Sequence, residues 1–197
     1  MIRIVVLVGP SASGKSTVRD KFNFSKIVTY TTRSPRSGEI SGVHYHFTDR
    51  ESLMKLKEDG RLLEYTEYSG NLYATSIDSF DNILRGNDIY SVVLDADGAR
   101  KIKELYGDSA IIIGVTAGRD ECIARMQSRS GEDNEHRIAS FEKELQETCD
   151  ISEIIINNSK KYWETSARII SIIKEGILSH SVTQSEKLMF ENSGSRR

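Results

Sequence analysis

Short runs rich in apolar and β-branched residues alternate along the chain with segments of helical periodicity. The apolar runs predict strands over residues 2–8, 26–31, 62–68, 89–94, 110–115 and 153–156. The periodic segments predict helices over residues 16–22, 51–59, 76–84, 99–106, 120–127, 135–147 and 161–178. Continuous apolar strands separated by helices are typical of an α/β fold, in which helices cover both faces of a parallel sheet.

The C-terminal region divides into an amphipathic helix and a polar tail. Residues 161–178 have helical periodicity, with five side chains expected on the buried face: Trp163, Ala167, Ile170, Ile173 and Ile177. Residues 179–197 are polar and end in SGSRR, so we expect them to be loosely ordered. We therefore predict a single domain over residues 1–178, followed by this tail.

A glycine-rich stretch, GPSASGKST, follows the first apolar run directly and matches the phosphate-loop pattern G-x-x-x-x-G-K-[ST]. The pattern indicates an ATP-binding loop made by Gly9, Ser11, Ala12, Ser13, Gly14, Lys15, Ser16 and Thr17. Its backbone N–H groups would surround the phosphates, Lys15 would reach the β- and γ-phosphates, and Ser16 would bind Mg²⁺. A phosphate loop alone does not name a reaction, but the chain has no N-K-x-D motif of the kind that reads guanine in GTPases.

Polar residues follow the ends of several predicted strands. Gly9, residues 31–36, Asp95 and residues 116–119 all occupy such positions. Because parallel α/β sheets bind ligands beyond the carboxyl ends of their strands, we expect these positions to converge on one site.

A second informative stretch, TYTTRSPRSGEISGVHYHF, covers residues 29–47. Arg33 and Arg36 lie three residues apart, with Tyr45 and threonine hydroxyls nearby. Two guanidinium groups with phenol and hydroxyl donors suit a phosphate monoester, because arginine binds such oxygens in a bidentate manner and stays charged. Taken alone, the segment is equally compatible with a solvated basic loop.

Together with LLEYTEYSGNLYATS at residues 62–76, this stretch resembles the guanylate kinase family, whose pattern is T-T-R-x-P-R-x-G-E-x-x-G-x-x-Y-x-F followed by E…S-G-N-x-Y-[GA]-[ST]. The resemblance implies that the phosphate of GMP is bound by Thr29, Arg33, Arg36, Tyr45 and Tyr73. It also implies that guanine is read by Glu64, Thr75 and Asp95. The family's glutamine after the second aspartate is missing from the segment Asp95-Ala96-Asp97-Gly98.

The chemistry of base reading agrees with this resemblance. A carboxylate such as that of Glu64 accepts hydrogen bonds from N1–H and the 2-amino group of guanine, whereas adenine presents an acceptor at that edge. Two roles are open for Asp95, contact with the nucleoside monophosphate or contact with Mg²⁺ through water, as in other phosphate-loop enzymes. Asp97 is a weaker candidate, whose alternative role is a helix cap.

Transfer of a phosphoryl group between nucleotides requires positive charge and the exclusion of water, so we expect an arginine-bearing lid. The segment RMQSRSGEDNEHRI at residues 125–138 fits this description. Arg129 and Arg137 resemble the two lid arginines of guanylate kinases, with Arg125 as an alternative. The predicted catalytic residues are Lys15, Arg33, Arg129 and Arg137.

Composition narrows the partners and the compartment. The 197-residue chain is 38% hydrophobic and 28% charged, which is typical of a globular protein and excludes a wholly disordered one. A net charge of −2 gives no bulk attraction to nucleic acid or membrane, and no apolar run is long enough to span a bilayer. The two cysteines lack metal-site or C-x-x-C spacing, so we expect reduced thiols and a cytoplasmic protein.

We therefore predict a parallel-sheet phosphate-loop core with a monophosphate-binding insertion over about residues 34–86 and a lid over about residues 119–137. The expected reaction is Mg²⁺-dependent transfer from ATP to GMP or dGMP, by a monomer or homodimer that binds neither nucleic acid nor membrane. One alternative is a related kinase for another phosphate monoester, such as ribose bisphosphate. Another is a non-catalytic module that binds phosphopeptides, although such modules usually have a degenerate phosphate loop.

Overall fold

The computed structural model describes the backbone of residues 1–68, 70–80, 88–128 and 134–193, with side chains through Ser179. The strands are β1 (Ile4–Val8), β2 (Ser25–Lys26), β3 (Tyr30–Thr31), β4 (His46–Phe47), β5 (Leu62–Tyr68), β6 (Asn71–Ser76), β7 (Tyr90–Val93), β8 (Ala110–Thr116) and β9 (Ile154–Asn157). The α-helices are α1 (Lys15–Phe22), α2 (Arg50–Glu58), α3 (Ala96–Tyr106), α4 (Arg119–Gln127), α5 (Asn134–Ala139), α6 (Phe141–Ile151) and α7 (Trp163–Ser193).

The first sheet is parallel throughout and has the order β2-β7-β1-β8-β9. Its central strand β1 is buried along its whole length, because helices cover both faces. Ile4, Val6 and Val8 pack on one face together with residues of α3, whereas Val5 and Leu7 pack on the other with residues of α1 and α7. This parallel α/β core confirms the predicted fold class.

The second sheet has the order β4-β3-β6-β5 and is mixed, since β3 pairs parallel with β4 but antiparallel with β6. Strand β5 is confirmed over its predicted residues. Strand β6 was not predicted, because its short run of alternating residues follows a turn and is stabilised by pairing with β5 and β3. The predicted helix over residues 76–84 is wrong at its start: Ser76 ends β6, and only Ile77–Ser79 form a 3₁₀ turn before the described segment ends.

Two other predicted elements and the predicted burial of one side chain differ from the structure. The strand predicted over residues 26–31 is two short strands, because the chain crosses from the first sheet to the second between β2 and β3. The helix predicted over residues 135–147 is divided into α5 and α6 at Ser140. Trp163 is 44% exposed rather than buried, and its ring is covered by the ammonium group of Lys21 at 3.7 Å.

The C-terminal helix is longer than predicted. Ile170 and Ile177 are buried as expected, but α7 continues as helix to Ser193, so the expectation of a loosely ordered tail is wrong for that backbone. The polar composition of residues 179–193 does not oppose helix formation, because several polar residues have good helix propensity. In the described part of the chain, no helix combines the length and apolarity needed to cross a bilayer.

Candidate functional site

A cavity of about 560 Å³ opens beyond the carboxyl ends of β1 and β7 and is lined from both sheets. This position confirms the expected convergence of the phosphate loop, the arginine segment and Asp95, whereas residues 116–119 do not line it. The predicted site residues in its wall are Gly9, Ser11, Ala12, Gly14, Lys15, Ser16, Thr17, Thr29, Arg33, Arg36, Tyr45, Glu64, Tyr73, Asp95 and Arg137. Ser13 and Thr75 are buried behind the wall, and Arg129 lies outside the described residues.

The phosphate loop is shaped by two glycines that cannot be replaced without a clash. Gly9 has a φ of 153°, and a Cβ there would lie 2.1 Å from the carbonyl oxygen of Val115. Gly14 has a φ of 94°, and its Cβ would lie 2.1 Å from Nδ2 of Asn158. The loop therefore packs directly against the ends of β8 and β9, which fixes its position at the edge of the sheet.

Three side chains donate hydrogen bonds to carbonyl groups of the phosphate loop. Nδ2 of Asn158 donates to the carbonyl of Ser13 at 2.9 Å, and Nη1 of Arg125 donates to the carbonyl of Ala12 at 3.0 Å. Lys15 Nζ donates to the carbonyl of Gly9 at 2.7 Å. Arg125 does not line the cavity, so its guanidinium supports the loop from behind.

Arg33 is held in the cavity wall as a fixed guanidinium group. It is 7% exposed, its Nη2 donates to both carboxylate oxygens of Glu39 at 2.9 and 3.0 Å, and its Nη1 donates to the carbonyl of Ser34. Burial alone would raise the pKa of Glu39, but hydrogen bonds from the backbone of Arg36 and from Arg33 hold that pKa below its usual value. Within the described part of the chain, Arg33 Nε is buried without a hydrogen-bond partner, which leaves a donor for an anion.

Two tyrosine rings complete this anion-binding wall. The rings of Tyr45 and Tyr73 meet edge to face with centroids 6.2 Å apart, and the guanidinium of Arg33 lies 5.6 Å from the Tyr45 ring. Burial raises the pKa of the Tyr45 hydroxyl, so this group stays protonated at neutral pH and can donate a hydrogen bond. Thr29 is buried in the same wall, and Arg36 is half-buried.

Glu64 is a half-buried carboxylate on β5, at the side of the cavity that also holds Asp95. The hydroxyl of Thr75, on the neighbouring strand β6, donates to Glu64 Oε1 at 2.6 Å. Burial, together with the nearby Asp95 carboxylate, raises the pKa of Glu64 to about 7, although the hydrogen bond from Thr75 opposes this shift. Thr75 therefore orients Glu64 in this structure.

For the guanine contact that the sequence resemblance implies, the raised pKa of Glu64 predicts an affinity that depends on pH, because only the ionised carboxylate accepts hydrogen bonds from both N1–H and the 2-amino group. Between pH 8 and pH 6 the ionised fraction falls about tenfold, so the Kd for GMP should rise by about tenfold. Calorimetric titration checks this change. The Glu64→Gln variant reports the titration of the GMP phosphate alone, and an equal pH dependence in both proteins would contradict the prediction.

The same shift predicts an effect on stability. The carboxyl group of Glu64 binds its proton more tightly in the folded protein than in the unfolded chain, where its pKa is near 4.5. The free energy of unfolding therefore falls as the pH rises from about 4.5 to 7, because ionisation of Glu64 is less favourable in the folded state. Glu64→Gln should therefore raise the melting temperature at pH 8 and have little effect at pH 4.5.

Asp95 is the N-cap of α3, and its Oδ1 accepts the backbone N–H of Gly98 at 2.8 Å. Asp97, the weaker functional candidate, is not the cap that was its alternative role; it lines the cavity, is exposed and pairs with Arg100. Ser16 and Asp95 both line the cavity, whereas no cluster of three or more His, Cys, Asp or Glu suited to a metal occurs among the described residues. One hydroxyl and one carboxylate fit Mg²⁺, which keeps water and phosphate ligands.

The described part of the lid contributes one arginine to the cavity. Arg137 is 4% exposed, and its guanidinium lies 5.4 Å from the ring of Tyr68. Arg119, at the start of the predicted lid, is half exposed and pairs with Glu142 outside the cavity.

Sequence reasoning missed three residues that organise this site. Glu39 positions Arg33 and lies within the quoted arginine segment, so its place in the motif was an available signal. Tyr68 and Glu144 meet across the cavity through a hydrogen bond of 2.9 Å between residues 76 positions apart. Glu144 is one of several charged residues on α6, and nothing in the local sequence distinguishes it.

A model of the family described as guanylate kinase matches residues 1–173 of the chain. The guanylate kinase of Wolinella succinogenes is 32% identical over 196 residues, which cover 94% of this chain and 90% of that protein. The guanylate kinase of Nitratidesulfovibrio vulgaris is 32% identical over 164 residues, which cover 79% of each chain. Guanylate kinase 1 of Arabidopsis thaliana is 35% identical over 154 residues, which cover 73% of this chain but only 39% of that longer protein.

A solved structure gives the same result for the fold. The crystal structure of guanylate kinase from Anaplasma phagocytophilum superposes with a TM-score of 0.68 at 29% sequence identity. The match covers 89% of this chain and 86% of that one.

Proposed function

The chain belongs to the guanylate kinase family, and on this premise we propose that it transfers the γ-phosphoryl group of ATP to GMP or dGMP, giving ADP and GDP or dGDP. The observation that carries the proposal is a single cavity with two anion-binding walls and a half-buried carboxylate. The phosphate loop would hold the donor, and Arg33, Arg36 and Tyr45 would hold the acceptor phosphate. Glu64 would then face the guanine base.

Catalysis in this arrangement consists of positioning and charge neutralisation. No general base is required, because a phosphate oxygen of GMP is already anionic at neutral pH. Lys15 from the loop and Arg137 beside Tyr68 would bring positive charge to the transferred group, with Arg129 as a second predicted lid arginine. Mg²⁺, bound by Ser16 with Asp95 as an outer contact, would neutralise phosphate charge.

Selection of guanine would depend on hydrogen-bond pattern. The Glu64 carboxylate matches the two donors of guanine, whereas adenine would place its N1 acceptor against the carboxylate. A buried polar group left without a partner costs about 1–3 kcal/mol, which is one to two orders of magnitude in kcat/KM.

The experiment that tests this function is a coupled ADP-release assay with Mg²⁺-ATP and a panel of acceptors: GMP, dGMP, AMP, UMP, CMP and ribose 1,5-bisphosphate. We expect GMP and dGMP to stimulate ADP release at least tenfold more than the others. Absence of stimulation by GMP would refute the proposal.

The strongest alternative is a kinase for another phosphate monoester, and Glu64→Gln separates it from a guanylate kinase. Loss of the carboxylate should lower kcat/KM for GMP by about 10–100-fold and leave the ATP affinity unchanged. A kinase whose acceptor carries no base has no use for this carboxylate, so equal turnover by both proteins would favour the alternative.

The division into a core, a monophosphate-binding insertion over about residues 34–86 and a lid over about residues 119–137 is part of this proposal. It is supported by the second sheet, whose residues line the acceptor wall. We also propose a cytoplasmic protein, supported by one buried and one exposed free cysteine.

A further inference from the structure

Ser11, Tyr68 and Glu144 form a closed ring of hydrogen bonds at one side of the cavity, in which Ser11 contributes both its backbone N–H and its hydroxyl. The backbone N–H of Ser11 donates to Glu144 Oε2 at 2.9 Å, and the Ser11 hydroxyl lies 2.9 Å from the Tyr68 hydroxyl. The Tyr68 hydroxyl donates to Glu144 Oε1 at 2.9 Å, and the hydroxyl of Ser140 donates to the same oxygen at 2.6 Å. The carboxylate of Glu144 thus accepts three hydrogen bonds.

The direction of each bond in this ring follows from the number of protons. Burial raises the pKa of the Tyr68 hydroxyl, which therefore keeps its proton at neutral pH. Tyr68 has only this one proton and donates it to Glu144, so the hydroxyl of Ser11 must donate to the oxygen of Tyr68. The backbone N–H of Ser11 can only donate, so an acceptor is required at the position of Glu144 Oε2.

The ring joins three segments that are distant in sequence. Ser11 belongs to the phosphate loop, Tyr68 is the last residue of β5 in the second sheet, and Glu144 lies on α6. Ser140 immediately precedes α6 and follows α5, the helix that contains Arg137. The guanidinium of Arg137 lies against the ring of Tyr68, so the described lid arginine is part of the same cluster.

Strand β5 connects this ring with Glu64 at the far side of the cavity. Glu64, Thr66 and Tyr68 alternate along the strand, share one face and all line the cavity. Tyr68 is four positions after Glu64 in the extended strand, which corresponds to a distance of about 13 Å. Fixing Tyr68 on the phosphate loop therefore fixes the distance between the loop and the carboxylate that faces the proposed guanine site.

We propose that Glu144 is a positioning residue that fastens the second sheet and the segment after the lid onto the phosphate loop, in the geometry that in-line transfer requires. This inference rests on the proposed phosphoryl transfer between two nucleotides. Misplacement of reacting groups by about 1 Å can cost 10²-fold in rate, so a contact that positions the nucleotide-binding segments can control turnover.

The substitution Glu144→Gln tests this role with minimal change of shape. If glutamine keeps its oxygen towards the backbone N–H of Ser11, its NH₂ group faces the hydroxyls of Tyr68 and Ser140, which must then accept instead of donate. The substitution therefore removes the charge-assisted hydrogen bonds of the carboxylate and weakens the ring. We expect kcat/KM for GMP to fall by about 10–100-fold, with a melting temperature close to that of the wild type. Tyr68→Phe should have a similar effect, and the double variant should be no worse than the more damaging single variant.

The direction of the change in activity distinguishes a positioning role of Glu144 from a purely electrostatic effect of its charge. Removal of a negative charge near bound phosphates would by itself strengthen nucleotide binding, so an increase in activity in Glu144→Gln would overturn the proposal. Additive effects of the two substitutions would also overturn it. Glu142→Gln is the matched control, because Glu142 lies on the same helix, is exposed and does not line the cavity.

A second measurement reports whether the second sheet and α6 are held together, and it does not depend on turnover. One dye would be attached to Cys149, which is exposed on α6, and the other to the substitution Val43→Cys. Val43 is 48% exposed and lies in the arginine segment. Energy transfer between the dyes would measure the distance between these two parts of the protein. We expect Glu144→Gln and Tyr68→Phe to reduce the high-transfer population, and Glu142→Gln to leave it unchanged. If wild-type protein fails to phosphorylate GMP, the proposed function is wrong. The distance between the two dyes still tests whether Glu144 holds Tyr68 and the phosphate loop together. Unchanged transfer in all variants would refute the contact's role.

Discussion

Lys15→Met should lower kcat for GMP phosphorylation by about 10³-fold without unfolding the protein. In the structure the ammonium of Lys15 is held by the carbonyl groups of Gly9 and Pro10 at the wall of the cavity, where the proposed function places the donor phosphates. Methionine fills a similar volume but supplies neither charge nor hydrogen bonds, and the charge that develops on the transferred group would lose its nearest cation.

Steady-state kinetics of ADP release measures this loss, and circular dichroism monitors the fold. Lys21→Met is the matched control, since Lys21 is also on α1 but packs against the ring of Trp163. A Lys15→Met enzyme within tenfold of wild-type kcat would contradict the role given to this residue.

Arg33→Lys should lower kcat/KM for GMP by about 10²-fold, even though the positive charge is kept. The planar guanidinium of Arg33 binds both oxygens of Glu39 and still has a buried Nε without a partner among the described groups. A lysine ammonium cannot hold that fixed orientation and also present a donor to a phosphate oxygen. Loss of charge-assisted hydrogen bonds worth about 1.5–3 kcal/mol each accounts for the expected size of the effect.

The control for this prediction is Arg50→Lys, the same substitution at an exposed arginine that pairs with Glu67 away from the cavity. Calorimetric titration with GMP in the absence of ATP checks whether the loss is in binding of the acceptor. Equal affinities of Arg33→Lys and wild type would show that this guanidinium does not hold the acceptor phosphate.

The parts of the molecule that were predictable are those whose signals are local. The phosphate loop was predicted because its glycines, lysine and serine occupy fixed positions directly after a strand. The structure adds the reason for Gly9, whose Cβ would clash with the carbonyl oxygen of Val115. Strand β5 was predicted at its observed bounds because the leucine, tyrosine and threonine residues within the segment favour a strand. The role of the arginine segment was predicted from its resemblance to the family pattern, since its donors alone were equally compatible with a solvated basic loop.

The parts that were not predictable depend on contacts between distant segments. Strand β6 exists because β5 and β3 pair with it on both sides. The Glu144 carboxylate acquires its role only when folding brings α6 to the phosphate loop, 133 positions away in sequence. The exposure of Trp163 likewise follows from the packing of α7, which leaves that ring on the surface under Lys21.

The most direct test of the proposed acceptor site is a crystal structure of the complex with GMP. We expect the carboxylate of Glu64 to lie about 3 Å from both N1 and the 2-amino nitrogen of guanine, with the phosphate bound by Arg33, Arg36 and Tyr45. A base located away from Glu64, or a GMP phosphate bound only in the phosphate loop, would contradict the assignment of this cavity to two nucleotides.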